Sequence, residues 1–241
     1  SPHIGFDELS QIAKLAFNEW TRHTCPDGKT PSIQITDMSP VVCDAVEYNS
    51  RGGNINVVVF RTGKWPHSES AAPIALTTIT YDVETGAIYD ADIEINDGPD
   101  LTQAEITVDE TIVGYDLQSV LTHEAGHFFG LAHSRVPDAT MQPTGIVGSK
   151  EMRDLADDDL AGICEIYSST RSYAACDPTP RHGFQSTCGG VPDFEEAPDS
   201  CLLGSIDPGR SSSNAAYLWG LAGLAMVVAR WRRSSHCCRL R

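Results

Sequence analysis

Three observations predict an α/β (α+β) domain over residues 1–168 of this 241-residue chain. A helix-period apolar pattern near the N-terminus is followed by a block of strand-like runs and then by two more helical segments. That order suits a twisted mixed sheet with an antiparallel edge strand and three helices packed on it. Apolar residues make up 41% and charged residues 21%, which excludes a wholly disordered or collagen-like chain. After residue 168 the periodic apolar pattern gives way to Ser, Pro, Gly and Cys, the composition of a stapled or flexible stalk.

The elements follow in order. Asp7 to Trp20 predicts an amphipathic helix, because Leu9, Ile12, Ala13, Ala16, Phe17 and Trp20 recur at spacings of three and four and Asp7 can cap it. Pro26-Asp27-Gly28 ends any continuation. Ser32–Asp37 alternates as a strand, and Asn56–Phe60 is a β-branched run suited to a strand buried on both faces. Ile74–Tyr81 and Ala87–Asn96 predict two further strands, turned by Glu84-Thr85-Gly86, with Ile93 and Ile95 on one face. Asp116 can cap a second helix running to Phe129. Asp157 is expected to cap a third helix to Tyr167, with Asp158 and Asp159 in its first turn.

Charge and cysteine usage bound the partners and the compartment. The net charge is −16, and an acidic chain cannot replace phosphate counterions, so nucleic acid is not an expected partner. The eight cysteines are widely spaced with no CxxC pair, which fits disulfides in an oxidising, extracytoplasmic compartment. A Cys25–Cys43 bridge is expected.

The chain opens on Ser-Pro-His without an apolar leader, so any secretion signal is expected either to have been removed or to lie outside this sequence. Residues 169–213 form the linker. Residues 214–233 hold the uncharged run Ala215–Ala229 and the cluster Arg230, Trp231, Arg232 and Arg233, and 234–241 are a basic tail. The run is short for a hydrocarbon core of about 30 Å. Its arginine cluster nevertheless predicts a membrane segment, with the acidic body outside and cell-surface attachment through the tail.

The chemistry sits in His123-Glu124-Ala125-Gly126-His127-Phe128-Phe129-Gly130-Leu131-Ala132-His133. On a helix, His123 and His127 share a face one turn apart, so both imidazoles can reach one Zn2+ ion. Gly130 stands where the chain must turn back if His133 is to supply a third nitrogen. Three protein ligands leave a fourth position for water, the pattern of a catalytic zinc site. Glu124 points about 100° away from His123 around the helix. It is therefore placed to act as general base and acid on a zinc-activated water rather than as a ligand.

The motif HExxHxxGxxH followed by a Met-turn resembles the metzincin zinc metallopeptidases. Thr140-Met141-Gln142-Pro143 is similar to that turn, with Met141 packed beneath the ligands. Ser134 after the third His and a proline two residues after Met141 resemble the matrixin branch, as does Asp158-Asp159-Leu160-Ala161-Gly162-Ile163. The resemblance spans about Phe6–Tyr167. It implies a zincin catalytic fold in which the two aspartates brace the Met-turn and the mature N-terminus. It also implies protein or peptide substrates paired to an exposed edge strand, here Ile74, Ala75, Leu76, Thr77 and Thr78.

The family's second, structural zinc is not expected, because no histidine lies between His67 and His123. Ca2+ is possible but unplaced, since Asp82, Asp90, Asp92, Glu94, Asp97 and Asp100 also fit a solvated acidic surface. The remaining histidines are expected at the surface. The cysteine-switch propeptide is missing, as is a strand that the resemblance places before the first helix, and on that account the chain is expected to be either a fragment or a sequence begun from too late a start. The C-terminal arrangement resembles a bacterial sorting tag.

These features predict a secreted or surface-attached zinc endopeptidase. The alternatives are a metal-retaining surface-binding module without peptidase activity, and a processing protease of narrow specificity. Pocket depth is expected to depend on the loop from Gly145 to Arg153.

Overall fold

A computed structural model of the chain describes residues 4–38, 40–41, 43–67, 73–109, 111–168 and 180–185, with the backbone alone of 200–205 and 207–208. The apolar run and arginine cluster of 214–233, the basic tail and most of the linker lie outside the described residues. Among the described residues, no helix is long and apolar enough to cross a membrane.

Three helices pack with a mixed four-stranded sheet. Helix α1 spans Phe6–Arg22, α2 spans Leu117–Phe128 and α3 spans Asp157–Ile166. The sheet contains β1 (Val58–Arg61), β2 (Ala75–Tyr81), β3 (Ile88–Asn96) and a strand from far down the chain, Ser200–Ser205. That last strand is β7 in chain order, after the two-residue strands β4 (Ile106–Thr107), β5 (Tyr115–Asp116) and β6 (Thr144–Gly145). β8 (Asp207–Pro208) follows it.

The spatial order is β1-β3-β2-β7. β1 runs parallel to β3, with Val58 opposite Ile93. β2 runs antiparallel to β3, with Thr77 opposite Ile93, and β7 runs antiparallel to β2. The antiparallel β2–β3 pair follows from the tight Asp82–Gly86 turn, where Gly86 takes a positive φ of 72°.

The core lies between the sheet and the helices. Ala91, Ile93 and Ile95 alternate onto one face of β3 and join Phe17, Trp20, Leu121, Phe128 and Phe129 from α1 and α2. Phe17 meets Phe128 and Phe129 edge-on at 5.3 and 5.8 Å between ring centroids. Trp20 is fully buried and donates its indole N–H to the Thr122 carbonyl at 2.8 Å. Burying such a ring stabilises the packed state by about 1.5–3 kcal/mol, and the hydrogen bond fixes how α1 sits against α2.

Several expectations are corrected. Ser32–Asp37 is not a strand: the Ser32 N–H donates to Tyr167 O, so this stretch ties to the end of α3 instead of joining a ladder. The apolar run at 56–60 becomes β1, shifted to Val58–Arg61 and half-buried throughout, because β3 is its one neighbour in the sheet among the described residues. Ahead of β1, Asn56 and Val57 meet β3 through a mix of side-chain and main-chain bonds: the Ala91 N–H donates to Asn56 Oδ1, the Val57 N–H to Asp92 Oδ1 and the Ile93 N–H to Val57 O.

Helix α1 extends over Phe6–Arg22 with Gly5 as its cap, so Asp7 lies in the first turn. In α3 the cap is Ala156 rather than Asp157, and Asp159 reaches back to accept the Ala156 N–H. Asp116 caps α2 as expected, accepting from Ser119 N at 2.9 Å.

The Cys25–Cys43 expectation is overturned. Cys25 is bonded to Cys164, 139 residues away in sequence, which staples the turn after α1 to α3. Cys43 is also disulfide-bonded. Sequence spacing favoured the nearer cysteine, but the fold brings the turn after α1 against Cys164 of α3.

Candidate metal centre

Helix α2 carries the first two histidines into the interior. His123, Glu124 and His127 are each wholly buried, and His133 is half-buried. The helix ends at Phe128. Gly130 takes φ +92°, and its N–H bonds to His127 O while the Leu131 N–H bonds back to Gly126 O. This is a Schellman close, which a residue with a Cβ would strain. It turns the chain so that His133 returns to the face of α2 that holds the other two rings.

Ligand atoms of His123, His127 and His133 all lie within 4.8 Å of one another. His123 Nδ1 bonds to Thr140 O at 2.6 Å and His127 Nδ1 to Leu131 O at 2.7 Å. A carbonyl can only accept, so each Nδ1 carries the proton and each Nε2 presents a lone pair.

His123 Nε2 lies 3.2 Å from His133 Nε2, while His127 Nε2 is buried without a hydrogen-bond partner among the described residues. Nitrogens at the corners of a tetrahedron with Zn–N near 2.0–2.1 Å stand about 3.3 Å apart. The spacing, the orphaned lone pair and the neutral imidazole donor set all fit one Zn2+ ion. Burial and the neighbouring histidines hold His123 well below the usual histidine range. Burial and His133 lower His127 to about 3, and burial lowers His133. The rings are therefore neutral, as metal ligands must be.

A web of main-chain contacts fixes the floor of the site. Asp159 accepts the N–H groups of Thr140 and Met141 at 2.7 and 3.1 Å. The Ser134 N–H donates to Met141 O, and the Ser134 hydroxyl donates to Asp158 at 2.6 Å. Met141 is 2% exposed, and its sulfur packs over Gly126 of α2. The two aspartates thus brace both the methionine turn and the residue that follows His133. The Asp116 cap is held from outside by Arg153, whose Nε donates at 2.8 Å. Burial alone would raise Asp116, but hydrogen bonds from Arg153 and Ser119 keep it below the usual carboxylate range.

The Glu124 carboxyl is tied to β2. The Thr77 hydroxyl donates to its Oε2, and its Oε1 is buried without a partner among the described residues. Burial raises its pKa to about 8, against the opposing effect of the Thr77 hydrogen bond. Within the expected substrate strand, Ile74 lies just outside β2 and accepts from Asn96 N, while Ala75, Leu76, Thr77 and Thr78 lie within it. The expected exposed edge is corrected: β2 is an inner strand, because its side away from β3 pairs with Ser200–Ser205.

Three residues were not legible as site residues. Thr77 entered only as strand backbone, yet its hydroxyl orients Glu124 across 47 positions of sequence. Gly126 and Trp20 shape the floor, because a Cβ on Gly126 would fall 2.2 Å from the Met141 sulfur and 2.6 Å from the Trp20 ring. The one sequence signal was a glycine in a helix interior, which costs stability unless something packs close.

The acidic strand is also not a solvated surface. Asp90, Asp92 and Glu94 are buried, with Glu94 between Arg61 and His67. Burial raises Asp90 to about 6, and burial together with Asp90 raises Asp92 well above the usual carboxylate range. His67 and His23 are half-buried and paired to Glu94 and Glu19 at 2.7 and 2.6 Å, not simple surface residues.

Known proteins place this geometry in context. Residues 61–168 match the family model of the matrixin peptidases. The chain is 42% identical over 74 residues to metalloendoproteinase 5-MMP of Arabidopsis thaliana, covering 31% of this chain and 20% of that protein. It is 44% identical over 54 residues to matrilysin of Rattus norvegicus, 22% of this chain and 20% of that protein. It is 42% identical over 167 residues to neutrophil collagenase of Homo sapiens, 69% of this chain and 30% of that protein. The matched stretches thus span less than a third of these relatives. Together with the family match, they show that residues 61–168 are similar to the matrixin peptidases.

Proposed function

We propose that this chain is a zinc-dependent endopeptidase, with His123, His127 and His133 holding the ion and Glu124 moving the proton. The observation that carries this reading is the convergence of three neutral imidazoles beside a buried carboxyl with one oxygen uncommitted. When bound, the ion would supply a Lewis acid that polarises the scissile carbonyl and acidifies a water.

The residues of the chain do the rest. Thr77 holds Glu124 Oε2, and a cation on the three histidines would favour the ionised carboxylate, so that Oε1 would take a proton from water and return it to the departing amine. The side of β2 that Ser200–Ser205 covers would offer main-chain groups to an extended peptide in place of that strand, so affinity would tolerate many sequences. A cleft lined by Tyr115, Val120, Gly145, Ile146 and Met152 lies beside the loop expected to set selectivity. Substrates are proteins or peptides outside the cytoplasm, where the Cys25–Cys164 bridge is chemically stable.

Glu124→Gln in the full chain tests this reading. Zinc content measured by mass spectrometry is expected to match the parent, while casein hydrolysis falls about 10²–10⁴-fold. Cleavage at the parent rate would refute the role of Glu124. Absence of zinc from both proteins would refute the metal centre.

A further inference from the structure

The chain lays one of its own strands across the groove where a peptide is expected. Ser200–Ser205 pairs antiparallel with β2 from Leu76 to Thr80. Gly204 stands opposite Thr77, the residue whose hydroxyl holds Glu124. The register shifts between Thr77 and Thr78, so that Leu203 falls between the paired positions Gly204 and Leu202. The backbone then runs on to pair in parallel at Asp207 and Pro208 with Thr144 and Gly145, three residues after Met141. β7 also contacts α2, the helix that carries His123, Glu124 and His127.

One continuous segment therefore holds both rims of the site, β2 on one side and the stretch after the methionine turn on the other. Main-chain pairing is how an extended peptide is held at a sheet edge. An incoming peptide and this segment would compete for the same N–H and C=O groups of β2. Because the segment is covalently part of the chain, its effective concentration is of millimolar order, which favours the internal strand over a free peptide.

We propose that Ser200–Ser205 and Asp207–Pro208 are a built-in occupant of the peptide groove, an intramolecular inhibitory segment that must leave β2 and β6 before another chain can bind. The proposal rests on the endopeptidase reading for the meaning of the groove. Its test by binding does not require turnover.

The probe is a fluorescein-labelled peptide with the sequence of residues 198–210, measured by anisotropy against full-length protein carrying Glu124→Gln. The comparison protein carries Leu202→Pro and Leu203→Pro as well, since proline removes the N–H and blocks ladder pairing. The proline variant is expected to bind the probe about 10-fold or more tightly than its parent. Amide hydrogens of Ala75–Tyr81 are expected to exchange faster in it.

In chains with Glu124 restored, the proline substitutions lower KM for casein and leave kcat unchanged, and unlabelled peptide 198–210 returns KM toward the parent value. Equal probe binding and equal exchange in both proteins would overturn the proposal, even if casein is cleaved. Tighter binding and faster exchange without any cleavage would support the strand and sink the peptidase reading instead. Spontaneous cleavage within 200–208 in the chain retaining Glu124 would overturn the inhibitory role, because the segment would then be a single-use substrate. Thermal unfolding of the proline variant at the parent temperature guards against a folding defect, and if that control fails, Ser200→Pro at the far end of β7 provides the second variant.

Discussion

Gly126 shows how closely the site is packed at the level of a single residue. It sits in the middle of α2, between the two ligand histidines, where alanine would ordinarily favour a helix by about 1 kcal/mol. Here an added methyl would fall 2.2 Å from the Met141 sulfur and 2.6 Å from the Trp20 ring. The thioether can swing aside, but the indole is pinned by its hydrogen bond to Thr122 O. Overpacking of this kind costs about 1–3 kcal/mol, which outweighs the gain in helix propensity. Gly126→Ala is expected to lower the urea midpoint, and Met141→Ala in the same chain to restore part of the loss. A raised midpoint for the single variant would show that the floor is looser than its contacts indicate. The neighbouring Glu124 owes its elevated pKa to burial, a property of its surroundings that its place next to His123 in sequence does not convey.

At the scale of elements, the disulfide has the largest predicted effect. Cys25 follows α1 and Cys164 lies within α3, so the bridge closes a loop of 139 residues that contains α2 and every ligand. In the chain-entropy account a loop of that length is worth roughly 5 kcal/mol, and measured values run lower. The Cys25→Ser/Cys164→Ser double variant is expected to lose about 3–5 kcal/mol, or roughly 10 °C of Tm for a domain of this size. Calorimetry of the two proteins checks it, and an unchanged Tm would mean that packing of α1 and α3 alone sets the stability. The α2 N-terminus is secured separately by the Asp116 cap and Arg153.

For the molecule as a whole, the buried ionisable groups predict an unusual pH response of the metal-free protein. His123, His127 and His133 have folded pKa values below their unfolded value of about 6.5, with His127 near 3. From about pH 6.5 downward the unfolded chain binds more protons at these sites, so stability falls with acid. Asp90, Asp92 and Glu124 are shifted the other way, to about 6, well upward and about 8. Their unfolded values are about 4, so above pH 4 the folded chain binds more protons and stability falls as pH rises.

The two groups oppose each other between about pH 4 and 6.5. Below pH 4 the histidines act together with carboxylates held below their usual range, such as Asp116, and from about pH 6.5 to 8 the raised carboxyls act alone. Chemical denaturation of chelated protein is therefore expected to show stability declining from pH 6.5 to 8 and again below pH 4. A rise in stability from pH 6.5 to 8 would contradict the burial of Glu124 and Asp92.

What the sequence determined by itself was local and periodic. His123, His127, Gly130 and His133 lie within eleven residues, and helical geometry plus one glycine turn is enough to converge the rings. The helices, β2 and β3 were legible for the same reason, since their apolar periods are short. The stretch at 32–37 carried a strand's alternation but found Tyr167 rather than a neighbouring strand. Everything that required two distant segments to meet was decided only in three dimensions. Thr77 on Glu124, Cys164 on Cys25, Asp159 beneath Met141 and Ser200–Ser205 along β2 join residues separated by 18 to 139 positions or pair strands from opposite ends of the chain. No pattern in one dimension encodes such contacts, because packing of the whole core selects them from many partners of equal local merit.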